Sequence, residues 1–402
     1  MISKMFVDVD YSQVCKDSCR IPGDVFFSEK TKEKRTIITL SDGLGSGVKA
    51  DVLATLTATM ATKFISRNIH PKRTAEIIMK TLPIDKEMGI SYATFTIVDI
   101  EQNGLVRLIE YDNPLCIIIR NNQIFTPQKE EIFFTRNQKN QEIKTKASLF
   151  FSQYNAEPDD RIVFFSDGVS HAGMGQSDFA FGWKEEKIKE YVINQIQENS
   201  EISAKSLSEK IVNKAHELDN KIAKDDISCG VVYFRKPRDT MIFTGPPIDP
   251  ETDEDLAALF ISFSGQKIIS GGTTANIISK NLNLEVKPNF LSATKKIPPY
   301  STMQGADLVC EGILTLSAVA DILEKYDFSY KPTPDAAGKM IEILLNSDRI
   351  FWTVGTKINE AHQNPSMPVG LEIRRNIVKR ISDLLERKFL KEIHIQYIYN
   401  SV

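Results

Sequence analysis

Thr36-Ile37-Ile38-Thr39-Leu40-Ser41-Asp42-Gly43-Leu44-Gly45-Ser46-Gly47 is a β-prone apolar run that stops at an aspartate and gives way to three alternate glycines. From Val48 onward, Ala50, Leu53, Leu56, Met60, Phe64 and Ile65 recur near helical spacing. Asp42 therefore stands at a strand-to-helix corner. Gly43, Gly45 and Gly47 permit positive φ and close backbone approach, which leaves the Asp42 carboxylate and nearby carbonyls free to face a cation. Taken alone, the stretch reads equally well as a glycine-rich turn, since Asp-Gly is among the commonest turn dipeptides.

Three further acidic corners bear on the choice. Gly23-Asp24 leads directly into Val25-Phe26-Phe27; Ser166-Asp167-Gly168-Val169 ends the apolar run Arg161-Ile162-Val163-Phe164-Phe165; and Asp225-Asp226 opens a run from Ile227 to Phe234. Between the corners the order is a helix pair (48–65 and 71–82), β segments at 92–100, 105–111, 115–120 and 124–126 read as a meander, a charged stretch over 127–150 read as solvated surface, and a second helix pair (184–199 and 202–220). An antiparallel sandwich would bring Asp24, Asp42, Asp167 and Asp225 to one rim. Four carboxylates, a Gly43 carbonyl and water are hard oxygen donors, which suit Mg²⁺ or Mn²⁺ better than zinc. Two such ions about 3.5–4 Å apart would share a hydroxide able to attack a phosphomonoester in line.

The 402-residue length suits two domains, and 42% apolar with 26% charged residues suits a globular protein. A net charge of -3 offers no field for nucleic acid or anionic lipid, and no segment approaches a bilayer span. The expectation is a cytoplasmic protein with no nucleic-acid and no membrane partner. Five cysteines, an odd number without a framework, are expected to be reduced thiols, the Cys15/Cys19 pair included. A proline-bearing composition shift predicts a linker over 237–250. Beyond it, over 251–402, helices and single strands alternate: helix 252–263, strand 266–270, helix 274–282, strand 306–310, helices 315–325 and 335–346, strand 349–354, helix 367–388 and strand 392–398. This grammar predicts an α/β layer on a largely parallel sheet.

In motif order and spacing, Gly23-Asp24, Asp42-Gly43-Leu44-Gly45-Ser46-Gly47, Ser166-Asp167-Gly168-Val169 and Asp225-Asp226-Ile227-Ser228 resemble a PPM-type metal-dependent protein phosphatase of the bacterial stage II sporulation protein E-like branch, over residues 1–236. The resemblance implies an α+β fold, a four-layer αββα sandwich, here followed by the smaller α/β domain. It implies two Mn²⁺ or Mg²⁺ ions, with Asp42 bridging them, the Gly43 carbonyl donating, Asp24 and Asp167 ligating and Asp225 completing the coordination of the second metal. Catalytic roles then fall to Asp42, Asp24 and Asp167. The implied activity is serine/threonine phosphoprotein phosphatase in bacterial signalling, with a phosphoserine or phosphothreonine protein as substrate. A noncatalytic phosphoprotein-binding scaffold and a hydrolase of a small phosphorylated metabolite stay open as alternatives. Eukaryotic members often carry histidine after the central Asp-Gly, whereas this chain has Leu44, so the leaving-group proton must come from elsewhere. Lys16 and Arg20 are the candidates for docking phosphate, and His171 is read as a neighbour of the site.

In the C-terminal domain, Gly271-Gly272-Thr273-Thr274 follows a strand and opens a helix, as an anion-holding turn or a packing turn would. Glu311-Gly312 and Gly355-Thr356 are further strand-end turns, so this domain is expected to receive a small ligand or a protein partner along its sheet edge.

Overall fold

The computed structural model describes residues 5–31, 33–45, 47–82, 93–138, 141–176, 179–294, 297–326, 330–356, 370–389 and 391–398. Ser46, in the glycine loop, and 367–369, in the expected last helix, lie outside them. The chain divides into two compact units, Met1–Lys236 and Pro237–Val402.

The first unit runs β1 (Phe6–Val14), β2 (Asp24–Lys30), β3 (Thr36–Gly43), α1 (Val48–Ser66), α2 (Pro71–Thr81), β4 (Ala93–Ile100), β5 (Leu105–Tyr111), β6 (Ile117–Arg120), β7 (Gln123–Phe125), β8 (Lys129–Gln138), β9 (Gln141–Asn155), β10 (Arg161–Phe165), α3 (Asp167–Ser170), α4 (Glu185–Glu198), α5 (Ala204–Leu218) and β11 (Ile227–Arg235). Its strands form two antiparallel sheets, ordered β2-β3-β4-β5-β9-β8 and β1-β11-β10-β6-β7. Successive side chains of a strand point to opposite faces, and here both faces are dry. Ile38, Leu40, Val98 and Leu108 of the first sheet meet Ile118, Ile162, Phe164 and Val232 of the second in a shared core. On the outer face of the first sheet, Ile37, Phe95 and Ile97 pack under Ile65 of α1 and Ile78 of α2. On the outer face of the second, Val163, Phe165 and Val231 pack under Val192 of α4 and Ile211 of α5. The result is a four-layer αββα sandwich. Pro71 at the first position of α2 and the Ser203 cap of α5 fix where those helices begin.

Two expectations differ from what is found. The segment read as one meander divides, because β4 and β5 stay in the first sheet while β6 and β7 form a hairpin in the second. Asn121 and Asn122, both at positive φ (51° and 59°), close that hairpin as a two-residue turn. The charged stretch over 127–150 holds the long β8–β9 ladder, which extends the first sheet from β5. Its exposed Glu130 and Glu131 place charge on the outer strand, which disfavours further pairing at that edge.

The second unit runs β12 (Asp239–Thr244), α6 (Asp253–Ser262), β13 (Gln266–Ser270), α7 (Gly272–Leu282), β14 (Lys287–Pro288), β15 (Ser301–Met303), β16 (Ala306–Cys310), α8 (Ile313–Lys325), α9 (Ala336–Asn346), β17 (Arg349–Gly355), α10 (Gly370–Phe389) and β18 (Glu392–Ile398). The sheet order is β14-β15-β16-β13-β12-β17-β18, with β16, β13, β12, β17 and β18 all parallel. Ile242, Ile268 and Trp352 face α8, α9 and α10, while Phe243, Ile269 and Val309 face α6 and α7. The expected 237–250 linker is corrected here: residues 239–244 are β12, the middle one of the five parallel strands. Arg349 binds Asp239 at 2.5 and 2.7 Å and ties the start of β17 to it.

Candidate metal centre

The four acidic corners come from both sheets of the first unit. Asp24 begins β2 and Asp42 lies one residue from the end of β3, and antiparallel register sets the two directly opposite each other. Asp167 follows β10 and Asp225 precedes β11, neighbouring strands of the other sheet. Like charges opposite one another in a ladder are destabilising, so this pairing is a cost the fold carries.

The local backbone leaves no room for alternatives at two points. A Cβ on Gly43 would stand 2.1 Å from the Ala50 carbonyl oxygen, and one on Gly168 would stand 2.2 Å from the Asp226 carbonyl oxygen. Close approach, rather than positive φ, therefore explains these two glycines; positive φ is needed at Gly45 and Gly47.

Asp24 is 3% exposed, and its Oδ2 has no hydrogen-bond partner among the described residues. Burial pushes its carboxyl up to about 7; hydrogen bonds from Ser228 and Ser166 oppose the rise, and the charges of Asp226 and Asp167 add to it. Asp42 is pushed up to about 9, first by burial and then by the charges of Asp24, Asp167, Asp225 and Asp226. Asp167 is raised as well, by burial and by Asp225, with His171 holding it down. A set of carboxylates that cannot all ionise together in a desolvated corner is short of positive charge. An orphaned buried carboxylate oxygen points the same way. No group of three or more His, Cys, Asp or Glu side chains among the described residues is already drawn up at metal-ligand spacing. The donor set nevertheless fits hard divalent cations, being all oxygen.

Neighbouring residues sort themselves by what they touch. Asp226 accepts from the amides of Lys16 (2.8 Å) and Gly23 (2.6 Å), so its carboxylate fastens the 15–24 loop to the start of β11. Gln13 Nε2 donates to the Asp24 carbonyl and to Ser228 Oγ, both at 3.0 Å. Asp225 keeps a side chain 52% exposed, with Lys16 Nζ 3.6 Å away. Lys16 thus stands at the rim, whereas Arg20 is exposed and forms no ion pair among the described residues. His171 Nδ1 lies 3.6 Å from Asp167 Oδ2. Leu44 is partly exposed beside the loop. Sequence reasoning did not single out Ser166, Ser228, Gln13 or the anchoring role of Asp226. The signal for the first two was present, since each serine lies within the same short motif as its aspartate.

The family description Stage II sporulation protein E (SpoIIE) matches residues 32–235. No curated protein matches the chain. Among solved structures, the phosphatase domain of the cell fate determinant SpoIIE from Bacillus subtilis, in a crystal form without domain swapping, is 13% identical, with 59% of this chain and 95% of that chain covered and a TM-score of 0.41. The PP2C phosphatase domain with a fragment of the regulatory domain of SpoIIE from Bacillus subtilis is 14% identical, covering 58% and 64%, at 0.45. RsbX in complex with magnesium is 14% identical, covering 58% and 100%, at 0.39.

Proposed function

We propose, because the chain belongs to the stage II sporulation protein E (SpoIIE) family, that its first unit is a Mn²⁺- or Mg²⁺-dependent phosphatase acting on phosphoserine or phosphothreonine in a protein. The observation that supports this reading most is the meeting of Asp24, Asp42, Asp167 and Asp225 at one end of the sandwich, with Asp24 and Asp42 pushed to about 7 and about 9 by burial and mutual repulsion.

In this reading Asp24, Asp42, Asp167, Asp225 and the Gly43 carbonyl would hold the two cations. When bound, divalent cations acidify water and neutralise charge developing on phosphoryl oxygens. The chain's own residues do the rest. Asp226 fixes the 15–24 loop and so the position of Asp24. Lys16 holds positive charge at the rim, where an incoming phosphate would pass. Leu44 carries no proton to give, so the leaving alkoxide takes its proton from water.

The test is phosphate release from p-nitrophenyl phosphate and from a phosphoserine peptide with Mn²⁺. Asp42→Asn and Asp167→Asn should each lower turnover by about a hundredfold or more. Wild-type rates in both variants would sink the reading. Comparing phosphopeptides with small phosphorylated metabolites under the same conditions assigns the substrate class.

A further inference from the structure

The parallel strands of the second unit end in a recess that the phosphatase reading does not use. It has a volume of about 70 Å³ and lies past the carboxyl ends of β12, β13 and β16, with Gly245, Ser270, Gly272, Thr274, Glu311 and Arg374 among its lining. The strand order reverses at β12 in this sheet, and the carboxyl-end crevice of an open parallel sheet is where such folds receive ligands.

Four observations describe what the recess would hold. First, α7 begins there at Gly272, has eleven residues, and has no side-chain cap. The amides of Gly272, Thr273 and Thr274 meet no acceptor among the described residues, so they and the helix dipole face the recess. Second, Thr274 is fully buried, and its Oγ1 has no hydrogen-bond partner among the described residues. Third, no described residue requires glycine at 272: a Cβ there would meet none of their atoms within 4 Å, and its φ is ordinary. Its bare amide is left open to the recess. Fourth, Arg374 reaches over from α10, close enough that a Cβ on Gly245 would stand 2.7 Å from one of its guanidinium nitrogens. Burial pulls Arg374 below its usual value, and the Glu311 charge opposes that. Arg374 makes no hydrogen bond or salt bridge to a described residue. The Glu311 carboxylate accepts from the Leu314 amide at 3.0 Å and so is partly committed to the start of α8.

We propose that this recess binds the phosphate group of a small molecule, held by the first amides of α7, the Thr274 hydroxyl and the Arg374 guanidinium. Phosphate suits three amides, a hydroxyl and a guanidinium better than carboxylate does, because it offers more acceptor oxygens and more charge.

Equilibrium dialysis of the full chain in EDTA tests this, using radiolabelled inorganic phosphate, with ribose 5-phosphate and acetate as competitors. In EDTA the acidic centre of the first unit carries negative charge and repels phosphate. Saturable binding of one phosphate is expected, weakened about tenfold or more in Arg374→Gln and in Gly272→Ala. Gly272→Ala has neither a clash nor a strained φ, so it keeps the test open if Arg374→Gln unfolds. Competition by ribose 5-phosphate tighter than by unlabelled phosphate would identify a phosphate ester as the ligand, and equal competition would identify phosphate itself. No saturable binding, affinity unchanged in Gly272→Ala, or stronger competition by acetate would overturn the proposal. Turnover at the first unit is not read, so this outcome is separate from that of the phosphatase reading.

Discussion

A methyl group at position 43 would stand 2.1 Å from the Ala50 carbonyl oxygen and closer than 3 Å to two more atoms of that residue's backbone. Backbone cannot give way as the tip of a flexible side chain does, so Gly43→Ala should destabilise the first unit by about 3 kcal/mol, read as a loss in chemical denaturation. The neighbouring carboxylates carry a pH signature. Asp24 and Asp42 hold protons up to about 7 and about 9 in the folded chain, against about 3.9 when unfolded. The folded state therefore binds more protons across that window. Its stability is fully present below about pH 4 and falls as pH rises through the folded values. Calorimetry in EDTA should show the melting temperature of the first unit dropping from about pH 5.5 to about pH 9, and Asp42→Asn should flatten the slope. A wild-type melting temperature independent of pH would contradict the repulsion described for this corner.

At the scale of elements, the sequence was most legible where periodicity and punctuation agree. α1 and α2 show it, as do the acidic corners: a β run that stops at Asp-Gly marks its own end. In the second unit the alternation of single strands with helices was legible for the same reason. β12 was hidden because Thr240-Met241-Ile242-Phe243 is short and buried on both faces, hence without alternation, and Pro237, Pro246 and Pro247 bracket it as they would a linker. The move of β6 and β7 to the other sheet was hidden because strand spacing reports pairing partners only for tight hairpins, and Asp112-Asn113-Pro114 marks a turn without saying which sheet follows. The two amide hydrogen bonds that the Asp226 carboxylate accepts join residues 203 or more positions apart, beyond any local pattern. Two element-scale outcomes follow from this geometry. Ile242→Ala, which opens a cavity in the middle of the parallel sheet, should cost about 2–5 kcal/mol in the second unit. Asp335→Ala, which removes the carboxylate that accepts from the Gly338 amide at the start of α9, should cost about 1–2 kcal/mol in the same transition.

At the scale of the molecule, the ends of the first unit close on each other. β1 pairs along its whole length with β11, Phe6 opposite Arg235 and Val14 opposite Ile227, so the last strand seals the sheet that the first begins. Each unit also has its own cores. Residues 1–236 expressed alone should therefore fold cooperatively, while ending the chain at 226 should give no cooperative transition, because it removes the strand between β1 and β10. Circular dichroism melts of the two fragments distinguish these outcomes. If the phosphatase reading holds, the longer fragment should also release phosphate from p-nitrophenyl phosphate with Mn²⁺.

The register that sets Asp24 against Asp42 also makes a statement about descent. A lineage released from its need for that corner would gain stability from almost any neutral replacement at either position, so drift should erase the pair early. Laboratory evolution offers the forward version: selection for heat resistance alone, in chelator, should substitute Asp24 or Asp42 among its first winners.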